Sequence, residues 1–515
     1  MLPDRGAVVQ PADVPRLLAV VLDIVAAYRI DGGIEGVQQE DDHQQGDADH
    51  GHHGSGNQDG TGKPGRPTVP GLVVRGLPVG CALIHGFNSI RIPAVCSSTR
   101  LEPMAHAPQD QIAQDQIAPL LTPEGWELLA SLGPYRDEDS FELNSALRKA
   151  GHSPELVSAV LTQSRLRTRA QAKFGEFARQ MLFTQAGLEQ ATRLNVAAHH
   201  ARRFAAAGIQ HVADLGCGLG ADSLALASLD INVTAVDMDE TTAACATVNL
   251  IPFPNATVVH ADAAAVPLDG IDGVWLDPAR RVTSTSGTKR IWDPEAFSPP
   301  LSFVESLAAE GKAVGVKMGP GMPHDSVPAG CEAQWVSVGG DVTEVTLWFN
   351  AVRRPGVRRA ALVLGPQGPA ELTSGEDFGA GPSAPVGAVE GYLYEPDGAV
   401  IRAGLVADVA LELGGHLVDE HIAYICAPEL LDTPFARAYK VLQVMPYNVK
   451  ALKAWVKQEG ITVLDIKKRG TAVTPEELRK QLLPGGKNTR KGGKTATLVL
   501  TRIGEDRVAI VVDPV

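Results

Sequence analysis

The chain has 515 residues, of which 44% are hydrophobic and 21% charged, and its formal net charge is −14. Those proportions describe a globular protein of about three domains, each long enough for its own core. No apolar run reaches the roughly 18 residues that span a bilayer, and six cysteines without a C-x-x-C pair argue against a zinc site or disulfide framework and suit a reducing cytoplasm.

Residues 1–105 form an extension unlike the remainder. Asp41 to Gly71 is a run of Asp, Gln, Gly, His and Pro with almost nothing to bury, and such a stretch cannot offset its ordering entropy. It is expected to be disordered or wrongly assigned, with Met104 a candidate start. His43, His50, His52 and His53 have no carboxylate or Cys constellation around them, so no metal is expected. Residues 106–207 read as a helical domain. Thr122-Pro123-Glu124 and Ser153-Pro154-Glu155 each supply an N-cap, a Pro at the first helical position and an acid in the first turn. The second helix sets Arg165, Arg169 and Lys173 four apart on one face, either solvated or touching nucleic acid. Phe183-Thr184-Gln185 then interrupts the periodicity.

The span 208–364 reads as an α/β sheet. Val212 to Leu215 is a buried strand end and Ala221 to Ala227 a helix start. Between them Gly216, Gly218 and Gly220 make a turn that a ligand can approach closely. The spacing is G-x-G-x-G, whereas a dinucleotide turn would read G-x-G-x-x-G. Asp214, two residues before the first Gly, would repel a diphosphate but can accept from an ammonium, directly or through water. Asn232 to Asp237 ends in an acid about twenty residues further on, the spacing that meets a ribose diol. Thr257 to His260 leads to Asp262, and Gly273 to Leu276 leads to Asp277-Pro278-Ala279-Arg280. A fifth strand, Ala313 to Lys317, precedes a hairpin of Glu332 to Val338 and Val342 to Phe349 across Gly339-Gly340.

Asp214, Gly216, Gly218 and Gly220 resemble motif I of the class I S-adenosylmethionine-dependent methyltransferases, a Rossmann-like α/β fold. The resemblance implies S-adenosylmethionine as cofactor, with Asp237 on the ribose, Asp262 at the adenine amino group, and Thr184 and Gln190 in a segment that closes over it. Asp277-Pro278 is similar to the D/N-P-P-aromatic of enzymes that methylate base amines, but Ala279 and Arg280 replace the second Pro and the aromatic. RNA uridine-C5 methyltransferases carry D-P-P-R and need a cysteine nucleophile, for which Cys331 has a poor context. Asp277 and Pro278 are therefore the expected catalytic pair, with Asp277 as acceptor or orienting group. Arg280, Arg281 and Lys317 are expected to grip substrate phosphates.

Residues 365–432 read as a Gly/Pro/Ser linker followed by an acidic connector packed on the catalytic domain. From Arg437 to Lys494 fourteen Lys and Arg face four acids, the inversion a polyanion-binding module shows. The span 433–515 reads as a small α+β domain in the order strand, helix, strand, helix, strand, strand, with a capping box at Thr474-Pro475-Glu476-Glu477. Lys467, Lys468 and Arg469 in one loop, and Lys487, Arg490 and Lys491 in another, suit phosphate-backbone binding. With Gly187 to Arg193, Asp214 to Gly220, Asp277 to Arg281 and Asp465 to Gly470, the chain from about 110 to 515 is similar to a chiefly actinobacterial methyltransferase family with a C-terminal THUMP-like domain. That resemblance implies methyl transfer to a tRNA or rRNA nucleobase in the cytoplasm, without metal or membrane. A methyltransferase of small molecules or proteins, and a non-catalytic RNA-binding protein, remain open as alternatives. The oligomeric state is not legible.

Overall fold

A computed structural model describes residues 117–279, 281–284, 287–290, 293–483 and 493–515, with the strands between 281 and 290 as backbone alone. The expectations for residues 1–105, Arg280, Lys487, Arg490 and Lys491 lie outside the described residues.

The helical region opens with α1 (Pro123–Ser131), α2 (Ser140–Lys149) and α3 (Pro154–Phe174). Both sequence caps form: the Thr122 side chain accepts from the Gly125 N–H at 3.1 Å and that of Ser153 from Leu156 at 3.2 Å. Leu156, Val160, Leu166, Ala170 and Phe174 give α3 one apolar stripe, which packs on Leu120, Leu129 and Phe183. Its polar side chains tie down the strip that follows. Gln163 donates to the Phe183 carbonyl (2.6 Å), Arg167 to that of Met181 (2.9 Å), and Arg169 to the Gln185 side chain (3.0 Å). In the predicted row Arg165 and Arg169 are exposed, Arg169 with its bond to Gln185, and Lys173 is half-buried. The tethered strip carries α4 (Gln185–Gln190) and runs into α5 (Leu194–Ala206).

The first sheet is built from β1 (His211–Leu215), β2 (Asn232–Asp237), β3 (Ala256–His260), β4 (Gly273–Leu276), β7 (Ala313–Met318), β8 (Glu332–Val338), β9 (Asp341–Phe349), β10 (Arg359–Gly365) and β11 (Gly368–Ser374). A separate two-stranded ribbon, β5 (Arg281–Ser284) and β6 (Gly287–Arg290), follows β4. The strand order is β11-β10-β8-β9-β7-β4-β1-β2-β3. Neighbours from β3 through β7 are parallel, and β9 enters antiparallel to both β7 and β8. Its turn is Gly339-Gly340, both at positive φ (+61° and +91°), as a two-residue hairpin whose twist matches its strands requires. Alternate residues feed two cores. Ala213, Leu215, Val274 and Leu276 meet α8 (Leu301–Ala309), whereas Val212, Val233, Ala235 and Trp275 meet α5, α6 (Ala221–Ala227) and α7 (Glu240–Leu250).

Residues 365–432 pack on the first sheet as expected of the connector, but they are more than a linker, since strands run through both parts of the span. Gly368–Ser374 closes a hairpin on the sheet edge. β12 (Tyr392–Pro396), β13 (His416–Asp419) and β14 (Ile422–Ala427) join β15 (Ala436–Pro446), β16 (Ile461–Lys468), β17 (Lys494–Ile503) and β18 (Asp506–Pro514) in a second sheet ordered β13-β14-β12-β15-β18-β17-β16. The helices α9 (Gly398–Arg402) and α10 (Val406–Glu412), between β12 and β13, sit on the first sheet: Val400, Ala403 and Val409 share a core with Trp335 and Ala361. The Arg359 guanidinium donates to the carbonyls of Ala403 (3.2 Å) and Gly404 (2.8 Å). The expected connector thus supplies three of the second sheet's seven strands and a buttress on the first. At the far end α11 (Val449–Glu459) and α12 (Pro475–Leu482) cover Ile466, Leu498 and Leu500. The Thr474 side chain makes no cap bond, so α12 starts on Pro475 and its two first-turn acids instead of the expected box.

Candidate functional site

The chain moves outward from β1 to β2 and β3, then returns to place β4 on the other side of β1. A crevice opens beyond the strand C-termini at such a reversal. Here it is a cleft of about 710 Å³, a size that suits a nucleoside-sized ligand. Gly216 and Gly218 shape its wall at φ +87° and +56°. A Cβ on Gly216 would lie 3.0 Å from the Asp277 carbonyl oxygen, whereas one on Gly218 would point into open space. Any side chain at Gly218 would take room from a ligand.

The predicted cofactor and catalytic residues converge on this cleft, with two exceptions. Thr184, Gln190, Gly216, Gly218, Asp237, Asp262, Asp277 and Pro278 all line it, and Asp214 and Gly220 do not. Asp237, mostly buried at the end of β2, accepts from the N–H groups of Gly218 and Asp239, each at 2.9 Å. Each oxygen keeps a lone pair for a ligand hydroxyl. Burial pushes its carboxyl up, against those two N–H donors. Asp262 caps a short 3₁₀ turn by accepting from Ala264, and Thr184 caps α4 by accepting from Gly187 at 3.0 Å. Three carbonyls at the other end of α4, those of Leu188, Glu189 and Ala191, take the Lys173 ammonium at 2.8, 2.9 and 2.8 Å. Lys173 therefore holds the end of the strip that carries Gln190, as a cation at a helix C-terminus can. The four-residue spacing had shown only that it shares a face with Arg169.

Asp214 is 1% exposed behind the turn. One oxygen accepts from Ser223 Oγ at 2.5 Å and the other has no partner among the described residues. Direct acceptance from an ammonium in the cleft is not what this placement provides. The acids that do line this part of the cleft are Asp222 and Glu344, neither marked by the sequence pattern. His200, at 2% exposure, lies between them: Nδ1 is 2.7 Å from Asp222 and Nε2 is 2.8 Å from Glu344. Burial alone would discharge this imidazole, but the Glu344 charge and the two hydrogen bonds outweigh it and hold the ring up at about 9. The ring stacks on Trp275 with centroids 4.2 Å apart. A helix, a second helix and a late strand supply this group, so no local motif announces it.

Asp277, another residue of the cleft lining, follows β4. Lys317, expected to grip phosphate, is buried, and its ammonium is bound by Asp277 (2.5 Å) and by the Thr192 hydroxyl (2.9 Å). It is a floor cation that orients Asp277, because an ammonium at this depth is stable only when paired. Burial works to lower its pKa, and Asp277, Glu344 and Asp222 raise it above the ordinary value. Arg281 begins β5, directly across from Arg290. The Cys331 thiol is fully buried, donates to the Pro328 carbonyl at 3.2 Å and is pushed by burial to about 11, so it is no nucleophile.

In the second sheet Lys467, expected on a phosphate, is paired with Glu395 at 2.7 Å and lies over the Tyr439 ring. Arg469 packs against Tyr424 with 5.2 Å to its ring centroid, while Lys468 is exposed. Lys450, Lys453 and Lys457 are exposed along α11. Among the described residues no group of three or more His, Cys, Asp or Glu could hold a metal, and no helix is long and apolar enough to cross a membrane.

A parallel sheet closed by an antiparallel strand, a short glycine turn and acids at successive strand ends around one cleft define a methyltransferase fold that uses S-adenosylmethionine. Comparison with known proteins agrees. The chain is 30% identical over 367 residues to an uncharacterised S-adenosylmethionine-dependent methyltransferase of Mycobacterium tuberculosis, found in strains H37Rv and CDC 1551, covering 69% of this chain and 95% of the relative. It belongs to the S-adenosylmethionine-dependent methyltransferases. Residues 436–514 match the family described as THUMP domain-like, and residues 113–170 match a domain of unknown function (DUF8688). A provisionally named methyltransferase from Porphyromonas gingivalis W83 shares the fold, with a TM-score of 0.58 and 20% identity over 74% of this chain and all of that one.

Proposed function

We propose that this methyltransferase acts on an RNA nucleobase. The observation that carries the reading is the pairing of a cofactor cleft ending at Asp277-Pro278 with a THUMP-like module bearing exposed lysines. S-adenosylmethionine supplies an electrophilic methyl group on a sulfonium. Asp237 holds the ribose diol, Asp262 meets the adenine amino group, and Thr184 and Gln190 close over the cofactor. Asp277, fixed by Lys317, accepts a hydrogen bond from the base and aligns its nucleophilic atom for in-line displacement, where positioning provides most of the acceleration. Pro278 shapes the base seat. Arg280 and Arg281 stay as expected phosphate contacts. Seven acids and three bases line the cleft, so a polyanion is held outside it while one base enters.

On the module, Lys468, Arg469 and the α11 row Lys450, Lys453 and Lys457 carry backbone contacts, together with Lys487, Arg490 and Lys491. Lys467 is left to hold the fold. Removing residues 433–515 would strip four of the seven strands from a shared sheet, so charge reversal is the cleaner test. Replacing Lys450, Lys453 and Lys457 by Glu should weaken tRNA or rRNA-fragment binding and lower its salt dependence by roughly one phosphate contact per lysine engaged. Unchanged affinity and salt slope, with an intact fold, would remove RNA from the proposal. Calorimetry on Asp237→Ala tests the cofactor assignment, with an expected loss of about 1.5–3 kcal/mol per charged hydrogen bond.

A further inference from the structure

The carboxylates around the cofactor floor differ in what they present to the cleft. Asp214 lies behind its wall, and burial, reinforced by the Asp222 charge, pushes its carboxyl well above the ordinary range. Its surroundings thus disfavour the charged form, the one that could meet a cation. Asp222 and Glu344 are also buried, at 6% and 2% exposure, but unlike Asp214 both contribute to the cleft lining. Burial works to raise both, and His200 outweighs it and keeps both low. The Thr192 hydroxyl, which accepts from Lys317, also bonds Asp222 and fixes it from the side of the closing strip.

Charge within this group does not cancel. The imidazolium of His200 stands against two carboxylates, and Lys317 against Asp277. One negative charge is left over, in surroundings where an unmatched ion is costly. It borders the glycine turn, on the side where Asp222 opens α6. A small cation arriving from the cleft would balance it, and a cofactor with an amino-acid end brings one as its ammonium group.

We propose that Asp222 and Glu344, braced on either side of His200, receive the cofactor's ammonium group, and that Asp214 does not. Asp214 instead supports the turn from behind through Ser223. The assignment departs from the one the glycine spacing suggests, and it concerns binding, so it stands apart from the choice of methyl acceptor.

The test uses the full chain and two ligands, S-adenosylhomocysteine and its analogue lacking the amino group, titrated calorimetrically. Wild type should bind the amine-bearing ligand about tenfold to a hundredfold more tightly, the value of a charge-assisted hydrogen bond. In Asp222→Asn and Glu344→Gln that ratio should fall to threefold or less, whereas Asp214→Asn should keep the wild-type ratio. Comparing two ligands on one preparation cancels any loss of folded protein, and if Asp222→Asn fails to fold, Glu344→Gln decides the matter. The proposal is overturned if Asp214→Asn alone abolishes the preference, or if the Asp222 and Glu344 variants both retain it.

Discussion

Replacing Lys317 by Met removes the ammonium that Asp277 and Thr192 share. The Lys317 side chain is 6% exposed and that of Asp277 is 25% exposed. Breaking a fully buried ion pair from one side costs about 3–5 kcal/mol, because the surviving charge stays in place without a partner. Water reaches Asp277 in part, which points to the lower end, but Asp222 and Glu344 also lose a neighbouring cation, which restores the estimate to about 3–4 kcal/mol. Asp277→Asn on the Lys317→Met background removes the stranded carboxylate. The double variant should therefore be about 2 kcal/mol more stable than the sum of the single effects. Urea unfolding followed by tryptophan fluorescence suits the measurement, since Trp275 and Trp348 lie 5.7 Å apart in the adjoining core. Effects that add within about 0.5 kcal/mol would refute the coupling and with it the claim that Lys317 positions Asp277.

Other expectations follow from the same geometry. His200 is raised from 6.5 to about 9, so its stabilisation is complete below the unfolded value and is lost as pH climbs through 9. Unfolding free energy should drop by up to about 3 kcal/mol between pH 7 and 10, and the difference between wild type and His200→Gln isolates that slope; parallel curves would argue against a buried imidazolium. Gly218→Val should cost about 1–2 kcal/mol of stability for its left-handed backbone, yet weaken S-adenosylmethionine binding more than tenfold by calorimetry, since the new side chain enters the cleft. Binding at wild-type strength would mean that the cofactor does not pass over this turn. Cys331→Ala should leave methyl transfer near the wild-type rate, and a folded but inactive variant would reinstate a covalent route.

Much of the cleft is legible in the sequence because its determinants are local. Three glycines within five residues and an acid at each strand end are visible without knowing where distant parts of the chain lie. His200, Asp222 and Glu344 were not, since each is ordinary in its own segment and only the sheet order brings a residue of β9 beside α5 and α6. The role of Lys317 is hidden for a related reason: a lysine at a strand end looks the same in sequence whether it meets solvent or a carboxylate. Burial decides between them, and burial is a tertiary property. The stretch 365–432 misled through composition. Gly, Pro and Ser marked its turns correctly, but the short strands between them have no alternation strong enough to reveal that they complete a sheet begun elsewhere.

That shared sheet has a mechanical consequence. α9 and α10 are rooted in the first sheet while the strands flanking them belong to the second, so the lysine-bearing surface cannot swing about a tether. If RNA docks there as proposed, the span from its anchor to the methyl group is set like the jaws of a calliper, and the nucleotide to be marked is chosen by how far along the folded RNA it falls. Lengthening the loop near residue 380 should leave that choice unaltered, because the gap is measured by packed helices and not by the reach of the chain.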